Sequence, residues 1–308
     1  MSGAYAHITL ANQCRPLIRK AKISQATGYA VSTFLAYAEL GAISPDYPYL
    51  GSEGPWADLF HHERSAEFFR NAVSYIKPLK DGPQRQKLIA WLMGYAAHVA
   101  GDVTIHPIVN NIVGPYEQNK AAHRECEMHQ DSHVFQRLNV DPDSGATTHL
   151  TASIASCSDP KDADRLDPMI AGPWLEVIRK TYPEKFAQGA PSIDKWHAGF
   201  GRVLNAIRTA NRLLPFARHL SAELQVNYPR PGSSDPKFLR GLPTPVGGKI
   251  DYDPLFDRAM GNAMALWEVI DASLSGADPK PLQALQAWNL DTGLNIATGK
   301  SVYWEPTP

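Results

Sequence analysis

Residues 88–101, LIAWLMGYAAHVAG, are apolar on every side of a helical projection, which marks a helix buried in the middle of a fold. The turn signal DGP at 81–83 precedes it, with Pro83 suited to a first helical position. The same stretch runs into His98-Val-Ala-Gly-Asp102-Val-Thr-Ile-His106. These three side chains stand at i, i+4 and i+8, so they project from one helix face. The apolar run before His98 argues against exposure, and buried polar groups demand partners. Imidazole and carboxylate are common zinc ligands, so a metal ion is the simplest partner. Pro107 is expected to kink or end the helix.

The rest of the chain fits an all-α domain. Apolar spacing predicts helices over 6–21, 57–76, 118–138, 169–182 and 254–274, with one or two more over 192–224, broken near Pro215. Residues 41–56, GAISPDYPYLGSEGPW, read as a Gly/Pro loop, as do 227–249, which are a lid or only a linker. There is no internal repeat and no alternation of strands with helices. Residues 1–275 are therefore expected to form one helical metal-binding domain, with 276–308 an extension packed on it.

Seven of the eleven histidines fall between residues 61 and 133. His123 and Glu127 stand at i and i+4, a spacing that grips one metal or makes a surface ion pair. Cys126, His129 and His133 form a competing face on the same helix, about 80–120° around the axis from His123. Periodicity does not choose between the two faces. Asp46 follows Pro45 in the first loop, where an Asp is ordinarily a turn residue. His61 and His62 open alternative positions on one helix. His7 lies near a helix start, and His149, His197 and His219 read as structural.

Other signatures are absent: no HExxH, no CxxC pair, no Gly-rich phosphate loop and no GxSxG elbow. Thirty basic against thirty-one acidic residues give a net charge of −1, which disfavours nucleic-acid binding through a broad positive field. Three widely spaced cysteines give no disulfide framework. The N-terminal residues show no charged-then-apolar signal pattern, so a cytoplasmic location is expected, with export by a signal-less route as the alternative. The apolar run 88–97 is expected to be too short to span a bilayer.

Taken together, the order His7, Asp46, His61, His98-xxx-Asp102, His106, His123-xxx-Glu127 resembles the zinc-dependent phospholipase C family. The surrounding text AHITLANQ, GAISPDYPYLG and LIAWLMGYAAHVAGDVTIHP resembles it too. The family is related to the N-terminal domain of glycosylphosphatidylinositol-specific phospholipase D and, more distantly, to S1/P1-type single-strand nucleases. The resemblance implies a multi-helix fold and a cluster of two or three zinc ions. One ion would take Asp46, His61, His98 and Asp102, and a second His106, His123 and Glu127. A third would take His7, a shared oxygen of Asp102 and the chain's N-terminal groups. The resemblance favours His61 over His62 and His123/Glu127 over the cysteine-containing face. It also makes Tyr47 a headgroup contact and Asp46 the residue that orients or deprotonates the attacking water.

The function so implied is zinc-dependent hydrolysis of a phosphodiester, with a phospholipid or another phosphoester as substrate and no nucleic-acid partner. The alternatives are a single-strand nuclease and a non-catalytic, metal-stabilised helical scaffold.

Overall fold

The computed structural model describes residues 3–138, 153–210, 229 and 232–304, and only the backbone of 206–210. Its helices are α1 (Ala4–Cys14), α2 (Gln25–Thr33), α3 (Leu35–Ile43), α4 (Tyr47–Leu50), α5 (Gly54–His62), α6 (Ser65–Ile76) and α7 (Pro83–Val113). They continue with α8 (Lys120–Phe135), α9 (Pro168–Thr181), α10 (Pro183–Gln188), α11 (Ile193–Ala210), α12 (Tyr252–Ser275) and α13 (Lys280–Ala284). Strands among the described residues make three two-stranded antiparallel hairpins, so the class is all-α as expected. His149, His219, Pro215 and the rest of the 211–224 helix reading lie outside the described residues.

Helix α7 is the axis of the molecule. Its 31 residues span about 46 Å, and every residue from 88 to 109 is buried. It is long and apolar enough to cross a bilayer by length and composition, because Val103–Val109 extend the run past Asp102. Its most apolar window is, however, wholly buried inside the fold. Helix α3 crosses α7 backbone on backbone. A Cβ on Gly41 would lie 1.9 Å from the Trp91 carbonyl oxygen, and one on Gly94 would lie 1.8 Å from that of Ala38. On the other side, Trp267 of α12 donates its indole N–H to the Met93 carbonyl at 2.7 Å.

Local expectations are corrected or narrowed at four places. Residues 41–56 are not one loop but a string of helical turns, because Pro45, Pro48 and Pro55 each occupy the start of a turn. The helix expected over 57–76 is two, α5 and α6, broken at Arg64, which adopts a left-handed φ of 54°. Its guanidinium donates to the Thr181 carbonyl at 2.8 Å, which holds the break in place. Of the kink or end expected at Pro107, the end is excluded, because α7 runs on to Val113. The Val103 carbonyl that Pro107 cannot bond is packed by the backbone of Gly293, where a Cβ would lie 2.6 Å from that oxygen and φ is +68°. The 227–249 stretch contains a hairpin, Leu242–Pro243 with Lys249–Ile250.

The last described segment closes over α5 and α7. Leu290 donates its N–H to the His61 carbonyl at 2.7 Å, and Trp304 donates its indole N–H to the Thr104 carbonyl at 2.9 Å.

Candidate metal centre

The α-helical period brings His98, Asp102 and His106 to one side of α7, where all three are buried. Four other elements face that stripe. Helix α1 brings His7, the turn before α4 brings Asp46, α5 brings His61, and α8 brings His123 and Glu127; all are at most 3% exposed. Asp102 sits at the middle. Its Oδ2 lies 3.1 Å from His98 Nε2 and 3.7 Å from His61 Nε2. Its Oδ1 lies 3.2 Å from His7 Nε2 and 3.4 Å from His106 Nε2. Asp46 Oδ1 is 3.4 Å from His61 Nε2. Glu127 Oε1 is 3.8 Å from both His106 Nε2 and His123 Nδ1. The donor atoms of His7, Asp46 and His98 lie within 4.8 Å of one another, as do those of His61, His98 and Asp102.

Backbone carbonyls fix which nitrogen of each ring faces inward. His98 Nδ1 donates to the Ala42 carbonyl at 2.8 Å, a contact made possible by the glycine crossing of α3 and α7. His61 Nδ1 donates to the Ala57 carbonyl at 2.7 Å, and His106 Nδ1 to the Leu290 carbonyl. His123 reverses the pattern, donating Nε2–H to the Gly114 carbonyl at 2.6 Å at the end of α7. A carbonyl only accepts, so in each neutral ring the proton is outward and a lone pair points at the centre. The inward nitrogens of His7, His98, His106 and His123 make no hydrogen bond. Lone pairs therefore face carboxylate oxygens across 3.1–3.8 Å of buried space, a contact that a cation relieves.

The electrostatics agree with that need at His7, His106 and Asp102. Burial lowers the His7 pKa to about 4, and the neighbouring His98 charge adds to the effect. Burial also lowers His106. At His98 burial pulls the same way and is the largest single influence, but Asp102, Asp46 and the Ala42 carbonyl together outweigh it and the pKa rises. Burial alone would raise Asp102, yet His106, His98 and His7 together hold its carboxyl well below the usual range. An ionised Asp102 with neutral His7 and His106 is the protonation state that metal ligation requires. The residues fit zinc: imidazoles and carboxylates, with His61, His98, His106 and His123 each oriented by a hydrogen bond to a backbone carbonyl.

The structure brings together the eight side chains singled out in the sequence, and it points His61 inward. His62 turns away to Asp291, its Nε2 2.8 Å from Oδ2. The N-terminal groups of the third implied zinc lie outside the described residues. The competing face of α8 is dispersed: His129 accepts from the Asp235 N–H, His133 contacts Asp253, and the Cys126 sulfur takes a contact from Gln130. Tyr47, expected as a headgroup contact, is fully buried and bonded to His197 at 2.7 Å, within a cluster of Trp174 and Phe200, and so presents no exposed surface.

Sequence reasoning missed the carbonyls of Ala42, Gly114 and Leu290, since a backbone acceptor carries no residue type. It also missed a cavity of about 530 Å3 to which the neighbours of two ligands, His62 and Pro107, contribute along with Asn110, Tyr116 and Asp291.

No curated protein and no solved structure gives a match to this chain. A family model described as zinc-dependent phospholipase C matches residues 6–184, more than half of the chain and the whole span from His7 to Glu127. With the buried imidazole–carboxylate centre lying inside that match, the chain belongs to the zinc-dependent phospholipase C family.

Proposed function

We propose that this protein hydrolyses a phosphodiester, with two or three zinc ions held by His7, Asp46, His61, His98, Asp102, His106, His123 and Glu127. The observation that carries the reading is Asp102, whose two oxygens face two separate imidazole pairs, His98/His61 and His7/His106. A carboxylate so placed would serve more than one ion. Zinc in such a set supplies Lewis acidity toward a phosphoryl oxygen and acidifies water near neutral pH.

The chain's own residues supply the rest. The backbone carbonyls fix the tautomer and aim of His61, His98, His106 and His123, so these four ligands need no rearrangement before use. Asp46 is the carboxylate on a turn, and it would orient an attacking water and accept its proton. The buried walls around Asp102 strengthen each charge interaction within the centre. Because the ligating imidazoles must be neutral, activity falls in acid.

The test is hydrolysis of a chromogenic phosphodiester, a phosphocholine ester and single-stranded nucleic acid by protein of measured zinc content. The reading expects zinc-bearing protein to cleave a phosphodiester or phosphocholine ester, to lose this with a chelator and to regain it with zinc. Preference for single-stranded nucleic acid overturns the phospholipase C-like substrate. Full zinc content with no hydrolysis of any of the three overturns the catalytic reading in favour of a scaffold.

A further inference from the structure

Seven of the eight proposed ligands stand on helices of nine residues or more, whereas Asp46 stands on the three-residue turn Ser44–Asp46. A short turn does not hold a carboxylate by its own hydrogen bonds, so its packing decides where Asp46 sits. On one side Ser44 Oγ accepts the Trp91 indole N–H at 2.8 Å, which ties the turn to α7. On the other side lies α11, from a part of the chain beyond the family match.

Helix α11 meets the segment after Asp46 at backbone distance. A Cβ on Gly199 would lie 2.0 Å from the Leu50 carbonyl oxygen, and one on Gly51 would lie 2.4 Å from Trp196 Cδ1. Trp196 donates its indole N–H to Glu53 at 2.6 Å. Inside this contact runs a directed chain of three side chains. Ser158 Oγ donates to the Ala155 carbonyl at 2.8 Å, so toward His197 it accepts, and His197 Nε2–H donates to it at 2.8 Å. The proton on Nε2 leaves Nδ1 as the acceptor for the Tyr47 O–H at 2.7 Å. Tyr47, the residue next to Asp46, is thus pinned by a neutral histidine of one tautomer in a fully buried setting.

We infer that His197 is a positioning residue for the metal centre: by holding Tyr47 from α11, it fixes the turn that presents Asp46. The inference rests on the zinc reading of that centre. It predicts that the affinity of one zinc class depends on a residue that no ion touches.

The experiment titrates metal-depleted full-length protein with zinc against a chromophoric chelator, with helicity followed by circular dichroism. His197→Phe keeps the ring but removes both hydrogen bonds. It is expected to weaken one class of zinc by about 10- to 100-fold while the class held by His106, His123 and Glu127 keeps its affinity. His197→Gln retains one donor and one acceptor and is expected to stay within about threefold of the parent. Tyr47→Phe removes only a hydroxyl and is expected to weaken the same class as His197→Phe. Unchanged affinity of every class in His197→Phe overturns the inference. So does loss of helicity in His197→Phe combined with unaltered zinc binding in Tyr47→Phe. A parent that takes up no zinc overturns the metal reading itself, and the inference falls with it.

Discussion

The α7 ligands and the Asp46 turn are held by opposite means. His98, Asp102 and His106 stand one turn apart on a helix buried on all sides, so their relative placement follows from the 3.6-residue period. Asp46 stands on a turn whose position is set by Trp91 on one side and by Tyr47, His197 and Ser158 on the other. A helical ladder places ligands by local geometry. A turn places one by contacts with residues up to 150 positions away in sequence. The ladder is therefore robust to changes elsewhere in the chain, and the turn is not.

The largest break in the ladder is Asp102→Asn. An amide is a poor zinc ligand, and this one would sit between both imidazole pairs, so zinc affinity should fall by more than about 100-fold and hydrolysis with it. Metal analysis and the phosphodiester assay on the same sample check both. Removal of zinc from the parent comes next. At free zinc about 1,000 times its Kd, binding adds about 4 kcal/mol, so chelation should lower the melting temperature by several degrees, reversibly.

How much of this was legible from sequence differs in the same way between the two regions. The spacing of His98, Asp102 and His106 could be read directly, because helical periodicity and an apolar surround are both written in residue types. Residue types leave His61 and His62 open, and only the resemblance favours His61; the helix break at Arg64, a left-handed residue with no glycine or proline to announce it, is not legible at all. The prolines around Asp46 exclude a strand and so read as a loop, whereas in the structure each starts a helical turn. The resemblance alone makes Tyr47 a headgroup contact, and its pairing with His197 leaves no trace in local spacing. The carbonyls that orient four imidazoles could not be seen at all.

A third test strains the ladder's support without touching a ligand. Gly94→Ala drives a methyl into the Ala38 carbonyl, which forces α3 off α7 and draws the Ala42 carbonyl from His98. A loss of about 3 kcal/mol in urea unfolding is expected, with weaker zinc binding.

The turn has its own signature in acid. Burial lowers the His197 pKa from 6.5 to about 4, against the smaller upward pull of Asp194 and Asp164. The unfolded chain therefore takes up a proton that the folded one refuses between those values. This stability is fully present above pH 6.5 and is lost as pH falls toward 4. At pH 5 the loss is about 2 kcal/mol relative to pH 7. It is measurable as the narrowing gap in unfolding free energy between the parent and His197→Gln, which does not titrate. The smallest effect belongs to His62→Ala. Its partly exposed pair with Asp291 should cost under about 1 kcal/mol and leave zinc content unchanged, in contrast to His61→Ala.

Zinc-edge anomalous diffraction from crystals of the zinc-loaded protein tests the central claim most directly. The account predicts anomalous density on both sides of Asp102, one peak beside His98 and His61 and another beside His7 or His106, with Asp102 touching each. A single peak that Asp102 does not share, or density at Cys126, His129 and His133 with none at Asp102, would contradict it.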